Sequence, residues 1–342
     1  MTASAERAEW VDVAKGIGIL LVVYFHVQDG IYRSGISAPE YFFYANTMIR
    51  GIVMPLFFFL SGMFVERSLS KGIGLFIWDK VKVLLYPYLL WSLLHGGIQV
   101  ILSPYTNDKL TVLDLMQIIY KPIAHFWFLQ ALFLTCIIYA FLKKYLPIYM
   151  LLIIALAMYV GKFFLDPGLI NNIFRMFLFY VMGSIFAYIS NKVQKDIDGA
   201  KSTLIAMVFI AFQIAVFHFE IVDWPLVKFI TVLIGLCFII SLSINFRGNI
   251  ISGIIGQLGF LAMPIYLAHV LGSAAARIVL SKVLHLQYIS THLLIGCIAG
   301  IVFPILLFIV TNRIGFPYLF TLSKKSALSQ AYSTDGFRQQ KS

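Results

Sequence analysis

Lys15 and His26 stand on one uninterrupted apolar stretch with ten residues between them. If that stretch is helical, eleven steps of ~100° return the second side chain to within about 20° of the first, and the axial rise separates them by ~16.5 Å. One helix face then carries a cation at one level and an imidazole at another. An imidazole with its ordinary pKa of ~6.5 suits general-base work near neutral pH, and its two ring nitrogens let a neighbour such as Asp29, Arg50 or His125 orient it. Taken alone, the pair also fits two interfacial anchors, with Lys15 snorkelling to one membrane face and His26 reaching the other.

Further polar residues interrupt the apolar runs. Arg50 opens the segment Arg50-Gly-Ile-Val-Met-Pro55-Leu-Phe-Phe-Phe-Leu-Ser61-Gly62. Its guanidinium could hold a carboxylate or phosphate, or stabilise a developing oxyanion, and an interfacial anchor is the competing reading. Ser61 with Gly62 reads as close helix packing rather than a nucleophile. His125 precedes Trp127 and Phe128 on the side expected for His26 and Arg50, although an aromatic interface belt also accounts for the two aromatic residues. His269, in Pro264-Ile-Tyr266-Leu-Ala-His269, falls mid-span, where it needs a polar partner or a wet cavity. His95, His218, His285 and His292 lie nearer span ends or loops, where hydration suffices, and receive no role. Lys80 and Lys82, with Pro87, Tyr88 and Trp91, read as a basic loop entering the third span, able to meet nucleotide phosphates.

The elements that position these residues must be membrane helices. The 342 residues are 61% hydrophobic and 12% charged, with mean hydropathy +0.90, whereas a soluble domain carries about 25% charged residues. Apolar runs predict ten spans beginning near residues 12, 47, 83, 125, 147, 173, 202, 226, 257 and 291. No internal repeat is evident, which disfavours transporters built from paired halves. The net charge of +11 is scattered between apolar runs, so nucleic acid is not an expected partner. A cytoplasmic N-terminus puts Arg67, Lys71, Lys80, Lys82, Lys143, Lys144, Lys192, Lys195, Lys201, Arg247, Arg313, Lys324 and Lys325 inside, leaving mainly Arg33, Lys109, Lys121 and Lys282 outside, as the positive-inside rule requires. Glu6, Glu9 and Asp12 precede the first run and no small-residue cleavage site follows it, which reads as a retained span rather than a signal peptide. Cys136, Cys237 and Cys297 lack metal-ligand spacing and read as packing residues, so no metal is expected. The expected fold is an all-α polytopic membrane protein, a bundle of about ten transmembrane helices with both termini cytoplasmic. Residues 1–322 form the membrane domain and 323–342 a polar tail without a second catalytic domain.

The run from Trp10 to His26, the Arg50 to Gly62 segment, Pro87-Tyr88 with Trp91, His125 with Trp127-Phe128-Leu129, and Tyr266 with His269 together resemble the acyltransferase family 3 integral membrane proteins. The branch they most resemble contains sugar O-acetylases of the fucose 4-O-acetylase type. Lys15 stands where the family commonly has Arg, which keeps the charge and loses the bidentate geometry. The resemblance implies acyl-CoA, expected to be acetyl-CoA, as donor, and a sugar or lipid-linked glycan of the cell envelope or an exopolysaccharide as acceptor. It implies His26, Arg50 and His125 as catalytic residues and Lys15, Lys80 and Lys82 at the cofactor. Asp29, Trp127, Tyr266 and His269 would line the cavity. It also implies a multi-pass location in the inner membrane, among membrane lipid. Some relatives append an SGNH-type hydrolase domain; the expectation here is delivery by the membrane domain itself or to a separate envelope-biosynthesis protein. The competing classes are a transporter or flippase of lipid-linked glycans, since intramembrane His, Arg and Lys also mark substrate pathways, and a non-enzymatic scaffold.

Overall fold

The computed structural model describes residues 9–36, 40–101, 111–246 and 248–322, without the side chains of 40–46, 48 and 49. The 323–342 tail and Arg247, Lys109, Lys324 and Lys325 lie outside the described residues. In chain order the helices are α1 (Glu9–Arg33), α2 (Glu40–Gly62), α3 (Val65–Leu69), α4 (Ile73–Lys80), α5 (Tyr86–Ile101), α6 (Val112–Met116), α7 (Trp127–Tyr145), α8 (Ile148–Gly161), α9 (Leu169–Asp196), α10 (Gly199–His218), α11 (Pro225–Asn245), α12 (Ile250–Phe260), α13 (Ala262–Ile278) and α14 (Ile289–Arg313). No strand occurs among the described residues. Among the described residues eight helical segments are long and apolar enough to cross a membrane, and shorter apolar helices run Arg50–Gly62, Ile148–Phe164 and Ile250–Phe260. The chain is an all-α polytopic membrane protein.

Two elements depart from the sequence reading, each because of a proline. The third span begins at Ile73 rather than near 83, and a π-turn over Val81–Leu85 joins α4 to α5. Pro87 cannot donate within the helix and its ring crowds the preceding turn, so the ladder there widens by a residue. Lys80 and Lys82 therefore sit in a helix and not in a loop. The Lys82 carbonyl accepts instead from the Leu322 amide at 3.3 Å, where the C-terminal segment folds back on α5. The indole of Trp91 clasps the same segment by donating to the Leu319 carbonyl at 2.7 Å. The expected span near 257 is two helices, broken at Leu261, because the Pro264 ring would clash with the carbonyl four residues earlier.

α1 lies at the centre, packed on α2, α11, α12, α13 and α14. Its crossing with α12 brings backbones together: a Cβ built on Gly16 would overlap the Ile255 carbonyl, and one on Gly259 the Asp12 carbonyl. Gly62 and Gly183 do the same where α2 crosses α9, against Tyr180 and Phe59 carbonyls. Without a hydrophobic drive between helices in lipid, such contacts supply the dispersion that holds a bundle together. Gly62 is therefore a packing device.

Candidate active site

Four histidines from four different parts of the chain meet inside the bundle. α1 carries His26 two turns before its end, α5 carries His95, the 3-10 turn Ala124–Phe126 carries His125, and α13 carries His269. Ring centroids are 5.4 Å apart for His26 and His125, 5.0 Å for His26 and His269, 4.9 Å for His125 and His269, and 5.7 Å for His95 and His125. His95, His125 and His269 are buried, while His26 is half-buried and faces a cavity.

Local structure accounts for each placement. Tyr88, Trp91, Ser92 and His95 recur on one face of α5, and all four are buried. Ala124 has φ 49°, a left-handed conformation unusual for a residue with a Cβ, and it turns the chain so that His125 points inward. The segment before it is pinned from behind. The Tyr88 hydroxyl donates to the Ile118 carbonyl and the Gln130 amide to the Ile119 carbonyl. Upstream, the hydroxyl and amide of Thr111 both donate to Asp114, at 2.7 and 3.0 Å, capping α6. The Thr111 hydrogen bonds, with Lys121 nearby, hold the Asp114 carboxyl below its usual range. From the other side, the Tyr266 hydroxyl donates to the His125 carbonyl.

The hydrogen bonds fix one tautomer. The His269 Nδ1 lies 2.8 Å from the Tyr266 carbonyl and 3.1 Å from that of Ile265. Carbonyls only accept, so Nδ1 carries the proton and a neutral His269 presents Nε2 as a bare lone pair. That Nε2 is buried and has no hydrogen-bond partner, and neither has either ring nitrogen of His125. Buried polar atoms in folded proteins are nearly always satisfied, so such a concentration marks a site awaiting something polar.

A cavity of about 120 Å³ opens on this cluster, lined by His26, Arg50, His125, Trp127 and Tyr266 with apolar residues of α1 and α2. Typical small-molecule pockets run to roughly 300–1,000 Å³, so this one holds reacting groups rather than a whole cofactor. Arg50 is nearly half exposed and grips Asp29 through both carboxylate oxygens, one at 2.8 Å. Asp29 thus pairs with Arg50 and is not among the residues that line the cavity. Among the described residues, two of the five guanidinium N–H groups are used.

Lys15, Lys80 and Lys82 lie away from the cluster. Lys15 is 3.9 Å from Asp12 and 5.7 Å from the Phe64 ring, Lys82 pairs with Asp79 at 2.8 Å, and Lys80 stands 5.1 Å over Phe76. By helix rise Lys82 is ~19.5 Å below His95, much as Lys15 is ~16.5 Å below His26. The histidine the sequence reading passed over is His95. The spacing of Tyr88, Trp91, Ser92 and His95, at i, i+3, i+4 and i+7, was the available signal that it faces inward. Among the described residues no three His, Cys, Asp or Glu side chains converge as a metal centre.

Tyr266→Phe removes the donor to the His125 carbonyl and leaves that buried acceptor unpaired, a cost of about 1–3 kcal/mol. Activity should fall roughly tenfold, as kinetics on the purified variant would read.

No curated protein and no solved structure matches the chain. A family model, described as an acyltransferase domain, matches residues 8–311. That match takes in α1, α5, the turn Ala124–Phe126 and α13, and so each of the clustered histidines, and on its extent the chain belongs to acyltransferase family 3 of the integral membrane proteins.

Proposed function

We propose that this protein transfers an acyl group, in the first instance acetyl, from acyl-CoA to a hydroxyl of an envelope or exopolysaccharide sugar, in the inner membrane. The observation that carries the reading is the small cavity where half-buried His26 meets Arg50 and the unpartnered nitrogens of His125. His26 takes the proton of the sugar hydroxyl as its oxygen attacks the thioester carbonyl carbon. The tetrahedral intermediate places its negative oxygen where the free N–H groups of Arg50 and the one N–H of a neutral His125 can donate to it. Collapse expels the CoA thiolate, which takes the proton from His26 and leaves as thiol, with the acyl group now an ester on the sugar. Nε2 of His269, a lone pair held beside His26, can share the proton in transit.

The nucleotide end of the donor is assigned to the lysine level, with Lys15, Lys80 and Lys82 at the phosphates and the pantetheine arm crossing the ~16–20 Å to His26. Residues 1–322 act as the membrane domain and 323–342 as its tail.

The test is CoA thiol release by detergent-purified protein given acetyl-CoA, with and without an envelope-glycan extract. Release that requires the glycan is expected. Glycan movement across proteoliposomes with no CoA release under any donor would instead make the protein a flippase.

A further inference from the structure

On one flank, α8, α9 and α11 leave an open apolar groove of about 430 Å³, lined by Leu152, Leu156, Leu178, Met182, Phe229 and Leu233 among others. At one end Phe229 joins Tyr159, with ring centroids 5.1 Å apart, and Phe179 at 6.4 Å. Cations gather there. The Lys162 ammonium sits 3.6 Å from the Tyr159 ring centroid, and Arg175 and Lys228 are near enough to act on it as like charges. Lys228 has its own carboxylate, Asp223, at 2.9 Å. Neither Lys162 nor Arg175 has a carboxylate within ion-pair distance among the described residues. Arg175 reaches only the Asn172 amide oxygen, at 3.2 Å, and its buried Nε has no partner. Its guanidinium lies 5.9 Å from the ring centroid of Trp127, which also lines the His26 cavity.

An apolar channel ending in two unneutralised cations matches an amphiphile with an anionic head. Adjacent like charges in a partly desolvated place raise each other's energy, and a bound anion relieves both. The cations approach from α9 and from the turn after α8, and a phosphate can accept from both at once. Trp127 connects that anion position to His26, so whatever the phosphate carries on its other side is directed at the base. Resting on the acyltransferase reading above, we propose that this flank binds the acceptor as a lipid-linked sugar phosphate. Its hydrocarbon chain lies in the groove, its phosphate rests on Lys162 and Arg175, and its sugar passes Trp127 to the cavity.

The probe is polyprenyl monophosphate, titrated onto detergent-purified protein and read by native mass spectrometry, with phosphatidylglycerol and inorganic phosphate as competitors. One saturable site is expected that excess phosphatidylglycerol does not empty. Lys162→Gln with Arg175→Gln should weaken binding by roughly 10- to 100-fold, the scale of lost charge-assisted contacts, and Lys162→Arg should retain it. Should the double variant be recovered misfolded, Leu156→Trp, which fills the exposed groove and leaves the cations alone, should also weaken binding. Displacement by phosphatidylglycerol mole for mole makes this a bulk-lipid site and overturns the proposal. So does equal binding by wild type and variants. Because binding is read without turnover, CoA release onto free glycan with no lipid bound removes this inference and keeps the acyltransferase; lipid bound with no CoA release under any condition does the reverse.

Discussion

Purified His26→Ala protein is expected to release CoA from acetyl-CoA in the presence of acceptor about 10²- to 10⁴-fold more slowly than wild type, the range of a lost general base. Of the clustered histidines, His26 alone is not fully buried while also standing on the cavity wall in contact with two other imidazoles. The buried rings of His125 and His269 can support it but cannot reach an incoming hydroxyl as directly. The donor's apparent affinity should stay close to wild type, because the nucleotide end is assigned far down the helix. Lys15→Ala provides the contrast: the same helix, the same face, but an effect mainly on donor KM. Thermal unfolding separates chemistry from collapse, since trimming a ring that borders a cavity should leave the melting temperature within a few degrees. Equal rates for wild type and His26→Ala across several donors and acceptors would remove His26 as the base and turn the cluster into a candidate proton or glycan pathway.

The sequence carried the site unevenly, and the physics of each residue explains why. Lys15 and His26 were legible as a pair because both ride one helix, where spacing alone dictates face and separation. Arg50, His125 and His269 could be assigned to membrane depths from their spans, yet only tertiary packing, α1 against α2 and α13 among it, brings Arg50 and His125 to the cavity of His26, and His269 beside its ring. Asp29 is in the sequence one of three neighbours able to orient the imidazole; three residues beyond His26 on α1, it pairs with the guanidinium of Arg50. His95 reads in the sequence as a span-end residue that hydration would satisfy, yet it is buried on α5, in a span that starts at Ile73 rather than near 83. The π-turn that moves that start follows from Pro87, but a proline predicts only that the ladder is disturbed, not whether it kinks, ends or widens. The apolar groove beside α9 was invisible for a different reason: in a membrane protein lipid-facing and groove-lining residues have the same composition.

Gly259→Ala should fail to give a stable, monodisperse protein, although it adds a single methyl group. A Cβ at this position overlaps the Asp12 carbonyl and crowds the Gly16 amide, both backbone atoms of α1 that cannot rotate away as a side chain could. α1 would have to move off α12, breaking the reciprocal contact of Gly16 with Ile255 and tilting the helix that carries His26. Overpacking against yielding side chains costs about 1–3 kcal/mol, and a rigid backbone neighbour puts this case at the upper end or beyond. Gly253→Ala is the matched control on the same helix. Nothing lies within 4 Å of a Cβ there, so the methyl meets open space and the gain in helix propensity, up to ~1 kcal/mol, makes the variant equal to wild type or slightly more stable. Melting in detergent, followed by size-exclusion recovery, would rank the three proteins. A Gly259→Ala protein that melts and elutes like wild type would mean that α1 and α12 do not cross backbone to backbone.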